Sequence, residues 1–246
     1  MSKLKKLGTI GSLGVIITGG LVFGSAQAAS AVTCRTPQTT PTSSTITGTT
    51  VAATSFEGSL SPFLPSTAGT GTAAVSSTTD HVGLCSAKLH VTADSGSVAL
   101  MSLPLAAGTK TAGVDGWFNV TTAGLAGNDV PYIRFFSGGT RIADIYRYNS
   151  NGQLWLRVTG PSGTFTYTKL KSSTIPLNTW HRATMQVRAN GSTSTIKVWF
   201  DGLQEFSSTA QNLGASSVSA VQLGAEHSRQ MGDEYIDDVV VKRSSS

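Results

Sequence analysis

The chain is built from short runs of Val, Ile, Thr and aromatic residues, each cut off by Gly, Asn, Ser or Asp. From Val51 onward no segment keeps a 3.6-residue apolar period for three turns, so helices are excluded as the main element. The runs predict strands near 51–57, 71–77, 85–92, 96–103, 111–120, 131–137 and 140–148. Further strands follow near 152–159, 163–170, 180–189, 193–200, 202–208, 217–224 and 234–242. About fourteen strands are too many for one open sheet and must stack as two sheets or close into a barrel. The turns fit hairpins: Ser137-Gly138-Gly139, Asn149-Ser150-Asn151-Gly152, Ala189-Asn190-Gly191 and Asp201-Gly202 all tolerate positive φ. Pro131 and Pro176 stand where strands begin, where a missing N–H costs little.

The amino-terminal segment has a different character. Lys3, Lys5 and Lys6 precede an apolar, glycine-broken run from Ile10 to Phe23, and Ala26-Gln27-Ala28 offers a small-x-small cleavage site. This predicts an export signal over 1–28. The run is short for a membrane span, which needs roughly 20 apolar residues. Residues 29–50 are rich in Ser, Thr and Pro and read as a lead-in outside the core. The domain itself is expected over 51–243, a length that suits one large all-β unit. Without the three signal lysines the formal charge falls from +5 to +2, since no acidic residue precedes Glu57. That balance, with no dense Lys/Arg run, argues against nucleic acid as a partner.

The two cysteines, Cys34 and Cys85, are most simply a disulfide in an exported chain, with two free thiols as the alternative. They lack a histidine at ligand spacing, which disfavours zinc.

Three stretches carry a resemblance. The first is Ser55-Phe56-Glu57-Gly58, followed by Gly71-Thr72-Ala73-Ala74-Val75-Ser76 and His81 to Leu89. The second runs from Trp180-His181-Arg182 to Trp199-Phe200-Asp201-Gly202. The third is Ile236-Asp237-Asp238-Val239. Their order and spacing resemble the laminin-G-like branch of the concanavalin A-like lectin/glucanase jelly rolls. The resemblance covers roughly 51–243 and implies a two-sheet antiparallel β-sandwich. It also implies a structural calcium where the first and last strands meet, with Glu57 and Asp238 as its carboxylates. By alternation Asp238 shares a side with Ile236 and Val240, which makes it the buried member of the Asp237-Asp238 pair.

Alternation also yields a candidate binding face. Ile133 and Phe135 are expected to face the core, as are Ala143 and Ile145, and Leu154, Leu156 and Val158. That leaves Tyr132, Arg134, Asp144, Tyr146, Trp155 and Arg157 on the opposite face. Aromatic rings that stack on sugar C–H surfaces, beside polar groups for the hydroxyls, are what a glycan site requires. The same residues could equally be cross-strand pairs that stabilise a sheet and bind nothing. Trp117, Trp180 and Trp199 read as core or rim residues. His81, His90, His181 and His227 read as surface or satisfied histidines.

Catalytic motifs are lacking. No Glu-x-Asp-x-x-Glu pattern supplies the paired carboxylates of a glycosidase. There is no Gly-x-Ser-x-Gly elbow and no His-Glu-x-x-His. Arg134, Tyr146 and Tyr148 suggest lyase chemistry, but the matching Gln-x-His element is missing. The sequence therefore favours an exported, non-catalytic, lectin-like module that recognises a polysaccharide or cell-surface glycan. The alternatives are a lyase or hydrolase of the same fold with a divergent site, or an adhesin whose partner is protein. Fold alone does not choose among them.

Overall fold

The computed structural model describes Cys34 and residues 40–246; the expected export signal lies outside the described residues. Fifteen strands form: β1 (Thr49–Thr54), β2 (Leu64–Ala68), β3 (Thr72–Ser76), β4 (Ser86–Val91), β5 (Val98–Pro104), β6 (Thr111–Val120), β7 (Asp129–Ser137), β8 (Thr140–Tyr148), β9 (Leu154–Thr159), β10 (Phe165–Lys171), β11 (His181–Arg188), β12 (Ser194–Phe200), β13 (Leu203–Gln211), β14 (Ala220–Ala225) and β15 (Gly232–Ser244). They build two antiparallel sheets packed as a sandwich. One has eight strands, ordered β13-β12-β11-β6-β15-β4-β3, with β1 also paired to β15. The other has seven, ordered β10-β9-β8-β7-β14-β5-β2.

The core lies between the sheets and follows the period of two. Val114 and Phe118 of β6, Met185 and Val187 of β11, and Ile196 and Val198 of β12 meet Ile133 and Phe135 of β7, Ile145 of β8 and Leu154 and Leu156 of β9. All are essentially inaccessible to solvent. Glu234 is a polar exception on this inner side, opposite Leu89 and Val120. Neither of its carboxyl oxygens has a partner among the described residues. Burial pushes its pKa up to about 8, against a weaker opposing pull from Arg134. The acid is thus mostly neutral at pH 7, the form that burial favours.

The lead-in contributes more to the sandwich than its composition implies. Ile46 is buried at 2% exposure. A Cβ on Gly113 would lie 2.9 Å from the Ile46 Cβ, so glycine makes room for that contact. A single apolar residue in a Ser/Thr run leaves no periodic signal, yet it anchors the segment. Strand β2 also has no counterpart among the expected strands: its Leu-Pro-Ser-Thr-Ala sequence is exposed throughout and shows no alternation.

Candidate functional site

The outer face of the seven-stranded sheet carries two rows of side chains set by register. In the polar row Ser102 of β5 pairs with Gln222 of β14, then Arg134 of β7, Asp144 of β8, Arg157 of β9 and Tyr167 of β10. In the aromatic row Tyr146 of β8 pairs with Trp155 of β9 and then Lys169 of β10. The sequence thus places Arg134, Asp144, Tyr146, Trp155 and Arg157 together as alternation requires. Tyr132 is the exception. A bulge between Pro131 and Ile133 adds one residue to β7, so Tyr132 turns inward beside Ile133. Its ring packs edge-on against Phe118 at 5.5 Å and lies 5.8 Å from Phe200. It belongs to the core and takes no part in the outer face.

Three arginines and three carboxylates interlock on this face. Arg157 donates to Asp144 through Nε to Oδ1 at 2.9 Å and Nη2 to Oδ2 at 2.6 Å, a bidentate pair. Its Nη1 donates to Asp129 Oδ2 at 3.1 Å. Arg141 lies 3.3 Å from both Asp144 Oδ1 and Glu226 Oε2. Arg134 reaches Glu226 at 3.2 Å and donates to the Gly224 carbonyl. Burial pulls the Arg157 pKa down, but the Asp144 bonds and the charges of Asp144 and Asp129 outweigh it, and the net shift is upward. For Asp144 burial raises the carboxyl pKa while Arg157 and Arg141 oppose the rise. Asp144 and Arg134 are fully buried under this network. They support the face from beneath and do not present polar atoms to a ligand.

Above the network is a cavity of about 420 Å³ lined by Tyr146, Tyr148, Trp155, Tyr167 and Arg157. The loop residues Gly127 and Asn128, with Asp129 at the start of β7, form its wall. Leu154 and Leu156 hold the core side of β9, which turns Trp155 outward into this space. Its indole N–H is shielded from solvent and has no partner among the described residues. Tyr148 meets the Trp155 ring edge-on, with centroids 6.4 Å apart. The Arg157 guanidinium lies 5.0 Å from the Tyr146 ring centroid. Burial raises the Tyr146 phenol above its ordinary pKa, with Arg157 opposing more weakly, so the hydroxyl stays protonated and acts as a hydrogen-bond donor.

Sequence reasoning missed Tyr167, Asn128 and Asp129 as site residues. Tyr167 lies on an expected strand, but nothing local shows that β10 flanks β9. Asn128 and the start of β7 at Asp129 are brought there by a loop whose path depends on long-range packing: Asn149 donates to the Leu125 carbonyl at 3.2 Å.

At the junction of first and last strands two carboxylates grip one loop. Glu57 Oε1 accepts the N–H groups of Leu84 at 2.8 Å and Cys85 at 3.3 Å. A Cβ on Gly83 would lie 1.8 Å from that oxygen, so only glycine permits the approach. Asp237 Oδ2 accepts the N–H groups of His81 at 2.8 Å and Val82 at 3.2 Å. Here alternation fails again. A bulge between Asp237 and Val240 sets Asp238 at φ 48°, so Asp237 is the fully buried member and Asp238 is half-buried. Asp238 instead pairs with His81 Nδ1 at 2.8 Å. Desolvation pushes the Asp237 carboxyl up to about 7, with Asp238 adding to the rise and the N–H donors opposing it. Among the described residues no three His, Cys, Asp or Glu side chains gather to hold a metal.

Three of the four histidines bond to an aspartate: His81 to Asp238, His90 to Asp233 and His181 to Asp201. Trp117, Trp180 and Trp199 are half-buried on the eight-stranded sheet side and none belongs to the core.

No protein-family model matches the chain, and no curated protein matches it. Solved structures do. One is an endo-β-1,4-glucuronan lyase from the fungus Trichoderma reesei, with TM-score 0.64 and 15% identity over 80% of this chain and 96% of that one. Another is the cellulose-induced protein Cip1, with TM-score 0.55 and 17% identity over 75% of this chain and 91% of that one. A third is the receptor-binding domain of a botulinum neurotoxin mosaic serotype C/D, with TM-score 0.50 and 12% identity. It matches over 78% of this chain but only 44% of the toxin domain. At these identities the likeness shows the fold alone, a two-sheet jelly-roll sandwich.

Proposed function

We propose that the chain is an exported, laminin-G-like carbohydrate-binding module whose glycan lies in the cavity around Trp155. The observation that carries this reading is the composition of that cavity. Four aromatic side chains line it beside one guanidinium and one carboxylate, and its volume falls in the range of ligand sites. Rigid strands present the rings, so little order is lost on binding. The Cys34–Cys85 bond supports an oxidising compartment. No helix among the described residues is long and apolar enough to cross a membrane. The similar structures, an endo-β-1,4-glucuronan lyase among them, keep polysaccharide in view as the ligand class.

Binding is favoured over bond cleavage for a physical reason. The arginines that could neutralise a substrate carboxylate are already held by Asp144, Asp129 and Glu226. The phenol nearest them, Tyr146, is shifted away from serving as a base at neutral pH. A glycan array run with the intact protein and with Trp155→Ala tests the reading. Binding to a defined set of glycans, weakened roughly tenfold or more by Trp155→Ala without a change in melting temperature, is the expected result. A parallel assay for unsaturated products over a polysaccharide panel decides against it if product accumulates.

A structural calcium near Glu57 and Asp238 is part of the same reading. Support comes from Glu57, Asp237 and Asp238 each bonding the loop of residues 81–85, with no Lys or Arg bonded to them among the described residues, though the three carboxylates do not gather at one point. Three of their oxygens already accept peptide N–H groups. An ion that takes six to eight oxygens would need carbonyls or water for the rest. Excess chelator should therefore lower the melting temperature, since an ion bound only by the folded state stabilises it. An unchanged melting curve with no metal found by elemental analysis removes calcium from the account.

A further inference from the structure

The opposite face of the sandwich holds a second cavity, of about 510 Å³, on the outer side of the eight-stranded sheet. Its floor is the β11–β12 pair, where Arg188 stands opposite Thr195, Gln186 opposite Lys197 and Thr184 opposite Trp199. The core side of both strands is fixed by Met185, Val187, Ile196 and Val198, so Arg188, Lys197 and Trp199 must point away from it. One wall is the lead-in around Thr45 and Thr47. That wall is anchored: Ile46 is buried against Gly113, and Gln186 donates from Nε2 to Thr47 Oγ1 at 2.7 Å.

The electrostatics differ from those of the first cavity. There, three arginines are matched by three carboxylates. Here no Asp or Glu side chain lines the space, and neither Arg188 nor Lys197 is ion-paired among the described residues. Two cations without an ion-pair partner bring positive potential to the groove. Threonine and serine hydroxyls, among them Ser244 and Ser246, with Gln186, Gly48 and the half-buried Trp199 ring complete the lining. Cations for acid groups, hydroxyls for hydroxyls and an indole for a C–H face are the complement of one ligand class.

We infer that this groove is a second, independent binding site for an acidic carbohydrate chain, one bearing carboxylate or sulfate groups. Affinity electrophoresis at physiological ionic strength tests it, with polygalacturonate, dextran sulfate, neutral dextran and polyglutamate as the four probes. The two acidic polysaccharides should retard the protein, and their relative strengths tell carboxylate from sulfate. Neutral dextran and polyglutamate should retard it far less. The double variant Arg188→Ala/Lys197→Ala should weaken the acidic interaction roughly tenfold or more, as loss of charge-assisted bonds does. Trp199→Ala should weaken it too, whereas Trp199→Phe, which keeps a ring, should retain it. Arg229→Ala, which removes an exposed cation that lines neither cavity, should change nothing here, so the effect of the double variant belongs to the groove and not to net charge. Equal retardation by polyglutamate, an inert Trp199→Ala, or no retardation by either acidic polysaccharide would overturn the inference.

Discussion

Asp144→Ala will lower the stability of the domain by about 3–5 kcal/mol, the usual cost of removing one partner from a buried ion pair. Asp144 has no exposed surface and receives two bonds from Arg157 and a further contact from Arg141. Its loss strands guanidinium charge in a region that water reaches poorly, since the Arg157 side chain is only 11% exposed. At about 2–4 °C per kcal/mol for a domain of this size, the melting temperature should fall by roughly 10 °C. The double variant Asp144→Leu/Arg157→Met should recover much of the loss, because it removes both charges and leaves an apolar patch of similar volume. Urea unfolding of the single and double variants measures both. A loss below about 1 kcal/mol, typical of a solvated pair, would mean that the network does not hold the floor of the site as described.

Removing the Cys34–Cys85 disulfide should have an effect of similar size. The bond is formed, and it joins residues 51 apart in sequence with Cα atoms 5.7 Å apart. In the chain-entropy account, closing a loop of that length restrains the unfolded chain by roughly 4 kcal/mol. The double variant Cys34→Ala/Cys85→Ala should therefore melt roughly 8–16 °C lower. Cys85 is fully buried, and alanine at that place also loses some packing. Thermal scans of the intact protein with and without reductant, beside the double variant, check the figure. A reduced protein as stable as the oxidised one would show that the cross-link contributes nothing.

The sandwich was legible because alternation is local. Leu154, Leu156 and Val158 are core residues as their period demands, and so are Ile133, Phe135, Ala143 and Ile145. That alone turns Arg134, Asp144, Tyr146, Trp155 and Arg157 to one face. Two failures, at Tyr132 and at the Asp237-Asp238 pair, share one cause. Bulges shift a strand by one residue without any mark in the sequence, and they moved Tyr132 into the core and exchanged Asp237 for Asp238 as the buried acid. Strand order is the other hidden quantity. Tyr167 joins the cavity because β10 lies beside β9, and Ile46 is buried because a glycine on β6 makes room for it. Three histidines find aspartates 20, 143 and 157 residues away, which no local pattern could show.

The proposed glycan site lies against Trp155 on the seven-stranded sheet. The four tryptophans, Trp117, Trp155, Trp180 and Trp199, each carry an indole N–H that reports its own surroundings. Their nitrogen–proton resonances, assigned by single Trp→Phe variants, can be followed during titration with a glycan selected from the array. The Trp155 indole is shielded and lacks a hydrogen-bond partner among the described residues, so an arriving sugar should move its resonance most and saturate it along the binding curve. A Trp155 resonance that stays fixed at saturating glycan, with binding confirmed by calorimetry, would contradict the account.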